Sequence, residues 1–182
     1  MSRAYKFHNP EGLYFVSFAT VFWIDVFVRQ IYFDCIVKNL NYCIAHKGMQ
    51  VYAWCIMPSH MHIVFKSIIQ KPEELLRDFK SFTAKEMIVL IETNPQESRR
   101  EWILNSFKKA GAKNSNNTIN QFWQQHNKPI ELWSNEVIDQ KINYIHNNPV
   151  VSGFVDKEED YLHSSARDYC ENKGLVNILL AQ

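Results

Sequence analysis

The chain has 182 residues, 46% hydrophobic and 21% charged with only five glycines, which excludes disorder and low complexity and predicts one globular domain over 1–182. A formal net charge of +1 offers no global field for nucleic acid, so any phosphate binding falls to a local basic face. Cys35, Cys43, Cys55 and Cys170 form no CxxC pair, the start lacks an apolar signal region and no apolar run approaches the roughly 20 residues of a bilayer span, so a reduced, cytoplasmic protein without membrane attachment is expected.

In chain order, "LYFVSFATVF" (13 to 22) is β-branched and aromatic and reads as a well-buried first strand. From Asp25 to about His46, apolar residues recur at three and four, predicting a helix that Gly48 stops. "VYAWCIM", a Pro58-Ser59 turn and "HMHIVFK" read as a bent strand or two adjoining strands. Pro72 opens a second helix running to Asn94-Pro95, with Leu75, Leu76, Phe79, Phe82, Met87 and Leu90 inward and Arg77, Lys80 and Lys85 outward. A further helix over about 97–110 leads into the linker-like "GAKNSNNTIN", after which "QFWQQ" and "KPIELW" suggest short strands or a loose hairpin. Ser134 caps a last helix, "NEVIDQKINYIHNN", which Pro149 closes. This order predicts an α+β fold: a ferredoxin-like antiparallel sheet with helices packed on one face.

Two places carry chemistry. Side chains alternate along a strand, so His60 and His62 share one face while Met61, Ile63 and Phe65 fill the other, and the buried face is complete without the histidines. Imidazoles so spaced can converge on one cation, and they also occur as ordinary surface or hydrogen-bonded histidines; spacing leaves both open. On the last helix Ile138, Ile142 and Ile145 form the apolar stripe. Tyr144 lies off it, among Gln140, Lys141 and Asn148.

"MPSHMHIVF" resembles the His–hydrophobe–His motif of the HUH endonucleases, and "INYIHNNPVVSGFV" resembles the nucleophile helix of their single-tyrosine transposases, especially the REP-associated tyrosine transposase branch. "FKSFTAKEM", "YLHSSARDY", "YFVSFAT" and "QFWQQ" are similar to further segments of that branch, so the resemblance spans roughly 5 to 169, in the right order. It implies an HUH motif on a strand and a nucleophile on a helix, with His60 and His62 as metal ligands, Tyr144 as nucleophile and Asn148 as a third, amide ligand to Mg²⁺ or Mn²⁺. It also implies a single-stranded DNA hairpin substrate, a 5′-phosphotyrosine intermediate and a monomer or homodimer.

A phenol is a weak nucleophile at neutral pH, and a metal that polarises the phosphate supplies the missing activation. One diester replaces another, which agrees with the lack of a GxxxxGK phosphate loop: no nucleotide cofactor is expected. Lys141 is placed to hold the phosphate, and Lys66, Arg77, Lys80, Lys85 and Arg167, in or beside the family-like segments, are candidate DNA contacts. Two other readings compete: a non-catalytic hairpin-binding regulator derived from such a transposase, and a zinc hydrolase. The second needs a third His, Cys or carboxylate ligand, which the segment around the pair does not offer.

Overall fold

A computed structural model describes residues 6–113, 119–125 and 127–181; half of the linker-like segment, 114–118, lies outside them. Strand β1 (Tyr14–Ala19) is followed by helix α1 (Gln30–Lys47), strands β2 (Met49–Met57) and β3 (His60–Ser67), helices α2 (Pro72–Thr93) and α3 (Arg100–Ala112), the short β4 (Ile130–Glu131), helix α4 (Asn135–Val151) and a last turn of helix, α5 (Ala166–Tyr169). The strands form one sheet in the order β2-β3-β1-β4, each neighbouring pair antiparallel, which is the ferredoxin-like arrangement. The two-residue turn Pro58-Ser59 joins β2 to β3, with Met57 opposite His60.

Both faces of the sheet are covered, not one. Tyr14, Val16, Phe18, Trp54, Ile56, Met61, Ile63 and Phe65 pack with α1, α2 and α3 into the larger core. On the other side Phe15, Ala53, Cys55, Met57 and Val64 pack against Leu132 and against Ile142 and Ile145 of α4. The strands are apolar at odd and even positions alike, so each face demands a covering layer. The face that carries the histidines is therefore a second core with an opening, and His62 is only 4% exposed.

Three local expectations are corrected. Helix α1 starts at Gln30 rather than Asp25, because the Phe27 amide donates to the Pro58 carbonyl and holds that segment against the β2–β3 turn. At its end Gly48 adopts φ 69°, a left-handed cap that glycine takes without strain. Phe82 is exposed at 56% and Thr83 buried in its place, since the Thr83 hydroxyl donates to the Phe79 carbonyl and accepts the Trp123 indole N–H at 3.0 Å. Pro149 does not close α4: the helix continues to Val151, with Ser152 as its cap and Gly153, φ 74°, following. Beyond the family-like segments the chain still packs, with Val176 buried and the Leu179 amide donating to Val51. Among the described residues no helix is long and apolar enough to cross a membrane.

Candidate functional site

Strand pairing sets the first half of the site. His62 lies between Ser17 of β1 and Cys55 of β2, and its ring stacks on Phe15, centroids 5.7 Å apart and 17° from parallel. His60, at the end of β3, stands edge-on to His62 with ring centroids 4.9 Å apart, and Ser59 Oγ lies 3.3 Å from its Nδ1. The strand end is fixed from the β1 side, where the Thr20 amide donates to the Ser59 carbonyl at 2.9 Å.

Helix α4 supplies the second half. Ser134 caps it, its hydroxyl accepting from the Val137 amide, and Glu136 suits the first turn. Ile142 and Ile145 seat the helix on the sheet, and His146 pins it further: its ring nitrogen lies 2.9 Å from Ser165 Oγ, which bonds the backbone of Trp54. With that stripe buried, Tyr144 turns toward the histidines, 48% exposed, its ring 5.2 Å from His62 and edge-on to Phe15 at 5.9 Å. One turn later the Asn148 amide lies 3.4 Å from His62 Nε2. Lys141 Nζ stands 5.0 Å from the Phe15 ring centre and 5.8 Å from that of Tyr144.

Burial, then the nearby His60 and Lys141, push His62 down to about 3, and burial lowers His60 as well. Both imidazoles are neutral at pH 7, the form that offers a lone pair to a metal. His62 Nδ1 is buried without a hydrogen-bond partner among the described residues, an uncommon cost that a bound group at this place would help explain. Two neutral imidazoles beside one amide fit a divalent cation that keeps open positions for water and phosphate. Among the described residues no three His, Cys, Asp or Glu side chains stand together, so the ligand set of a zinc hydrolase is not present there.

The structure thus brings His60, His62, Tyr144, Asn148 and Lys141 together and leaves the other cations apart. Arg77, Lys80 and Lys85 belong to α2, behind the sheet. Lys80 is not an outward charge: its ammonium donates to the Gln124 carbonyl at 2.9 Å and to Asn127, lies over Phe18, and is pushed down to about 8 by burial. Arg77 pairs with its neighbour Asp78 at 3.1 Å. Lys66 is at the far end of β3 from His60, and Arg167 is on α5. Tyr161 and Tyr169 are structural, donating to the carbonyls of Ile56 and Tyr52 at 2.9 and 3.0 Å. Sequence reading missed Phe15, the floor of the site, and Trp23, whose ring is 5.5 Å from His60. Phe15 was open to inference, because it shares strand parity with Ser17, the residue opposite His62.

No family model and no curated protein matches the chain. Among solved structures, a REP-associated tyrosine transposase bound to a REP hairpin is similar over 100% of this chain and 92% of that chain, at 17% identity and a TM-score of 0.57. A putative transposase from Deinococcus radiodurans R1 is similar over 74% of this chain and 88% of that chain, at 18% identity and a TM-score of 0.43. The chain has a transposase-like α+β fold, that of the hairpin-bound REP-associated tyrosine transposase.

Proposed function

We propose that this protein is a metal-dependent DNA strand transferase of the transposase type, acting in the cytoplasm on hairpins in single-stranded DNA. The observation that carries the reading is the meeting of Tyr144 with His62, ring to ring at 5.2 Å, across 82 positions of sequence (144 − 62), in a fold shared with a hairpin-bound transposase. The Tyr144 oxygen attacks the scissile phosphorus and loses its proton to solvent. The bond from phosphorus to O3′ breaks, the leaving oxygen takes a proton and becomes a free 3′-OH, and the 5′ phosphate stays on the tyrosine. Attack by another 3′-OH reverses these bonds and rejoins the strand, ester for ester, with no nucleotide hydrolysed.

His60, His62 and the Asn148 amide would hold Mg²⁺ or Mn²⁺, which when bound polarises the non-bridging phosphate oxygens. Lys141 places a positive charge beside the phenol ring, where it attracts the phosphodiester. Phe15 keeps His62 and Tyr144 in a fixed relation through two ring contacts. One chain furnishes all these groups, which supports cleavage in cis by a monomer; mixing Tyr144→Phe with His62→Ala protein should then restore nothing. Four free cysteines, three of them buried, suit a reducing compartment.

The test is denaturing electrophoresis after incubation with Mn²⁺ and end-labelled hairpin DNA. Wild type should retain a labelled 5′ end on the protein, and Tyr144→Phe should lose nearly all of it while still binding the hairpin. An adduct that persists in Tyr144→Phe would reject Tyr144 as nucleophile. Tight binding with no adduct from wild type on any hairpin would favour the regulator reading.

A further inference from the structure

Between β1 and α1 the backbone does something that its residues resist. Phe22 and Trp23 are consecutive, bulky and not glycine, and both have positive φ, 57° and 56°. The left-handed region costs free energy for any residue with a Cβ, and bulky side chains are unusual there. The residues on either side hold the turn in place. Val21 and Ile24 are buried, the Val21 amide donates to the Phe122 carbonyl, and the Thr20 hydroxyl donates to the Ile24 carbonyl at 2.6 Å. The effect is to present both rings to solvent, each 59% exposed, instead of burying them with the rest of the turn. Strain and exposed aromatic surface are both unfavourable in the isolated protein, and strain of this kind collects at ligand sites.

The Trp23 ring is edge-on to His60, so its exposed surface borders the site that contains Tyr144. We infer that Phe22 and Trp23 form a stacking platform for one or two unpaired nucleobases of the single strand next to the cut phosphate. An aromatic face suits any base, and a cation site beside it suits the phosphate that follows. This rests on the strand-transferase reading and adds where the flanking strand is held. A rigid platform fixes the position of the strand relative to Tyr144 without adding a group to the chemistry.

The experiment uses the full chain in EDTA, so that binding is read without cleavage, and a fluorescent hairpin with a ten-nucleotide single-stranded flank, intact or with one abasic position moved along the flank. Trp23→Ala should weaken binding to the intact flank by about tenfold, whereas Trp23→Phe should keep most of the affinity. Wild type and Trp23→Ala should bind alike when the missing base is the one that stacks, so the penalty vanishes at one or two adjacent positions only. Trp23→Gly, which fits positive φ, should raise the thermal midpoint while losing the same affinity. A structural role predicts instead that the glycine variant loses stability, and that result would overturn the platform. So would affinities within twofold of wild type on every oligonucleotide, a penalty equal at all abasic positions, or a change in oligomeric state with DNA affinity intact, the mark of a surface for a second copy. If Trp23→Ala binds normally and wild type still forms its Tyr144 adduct, the platform alone fails; if wild type binds no hairpin, both readings fail.

Discussion

The two faces of the sheet use the same strands and differ in how their buried polar groups are settled. On the α1/α2 side, Asn39 donates to Cys35, the Thr83 hydroxyl to Phe79, and Glu97 accepts from Arg29, Arg99 and the Tyr32 hydroxyl, each within the fold. On the α4 side the apolar patch around Ile142 and Ile145 stops short, and His62 and Tyr144 occupy the remainder, with His62 Nδ1 unpartnered among the described residues. The first face spends these polar groups on its own hydrogen bonds, Trp54 Nε1 being without a partner among the described residues, and so serves mainly stability. The second face keeps neutral imidazoles beside an outward phenol, the groups on which the proposed chemistry draws.

The largest expected effect is acid sensitivity concentrated on the open face and the adjoining edge of β2. Burial pushes His62 down to about 3 and His146 and His163 to about 4. These folded values lie below the unfolded value near 6.5, so the unfolded state binds more protons between them. Stability is therefore fully present above about pH 6.5 and falls as pH drops toward 4. Each histidine should cost roughly 2 kcal/mol between pH 7 and pH 5, on the order of 5 kcal/mol for the three. Urea midpoints measured in metal-free buffer across that range check it; a flat profile would mean that these imidazoles are solvated.

Next comes a contrast along one strand. Phe65 is fully buried on the closed face and in edge contact with Phe7, so Phe65→Ala should cost about 3–5 kcal/mol in denaturant unfolding. His62→Ala, on the open face, should cost about 1–3 kcal/mol, because it removes a ring buried on Phe15 but also a buried nitrogen that has no partner among the described residues. His60→Ala, half-buried at the strand end, should cost less than about 1 kcal/mol. Both histidine variants should lose Mn²⁺-dependent cleavage, and cleavage that persists in either would break the assignment of the open face as the reactive one.

The same contrast accounts for what could be read from sequence. Period-two alternation put the histidines on one face, and the isoleucine spacing left Tyr144 off the stripe, because these patterns depend only on local geometry. Helix α4 over the histidine face was not foreseen, since apolar residues at odd and even strand positions alike announce two covered faces without saying what covers them. Thr83 displaced Phe82 from the core through a hydrogen bond to Trp123, 40 residues away, and Lys80 was drawn inward by Gln124 and Asn127. Helical periodicity carries no record of such distant partners. Trp23 falls between the predicted strand (13 to 22) and the helix predicted from Asp25, and its display beside His60 depends on two backbone angles of opposite sign to the usual.

The smallest effect sharpens the comparison most cheaply. Arg77 and Lys85 are exposed on α2, so a hairpin held at Tyr144 should not need them if only the open face binds DNA. Arg77 is already paired with Asp78, and a solvated charge away from the contact surface contributes little once salt screens it. The double variant Arg77→Ala/Lys85→Ala should therefore bind hairpin DNA within about twofold of wild type, with an unchanged salt slope. Lys141→Ala, on the open face, should weaken binding and reduce that slope by about one unit. The measurement is affinity against salt concentration for the three proteins side by side. A slope reduced by two in the α2 double variant would mean that DNA wraps behind the sheet, and the division of labour between the faces would then hold for the chemistry but not for binding.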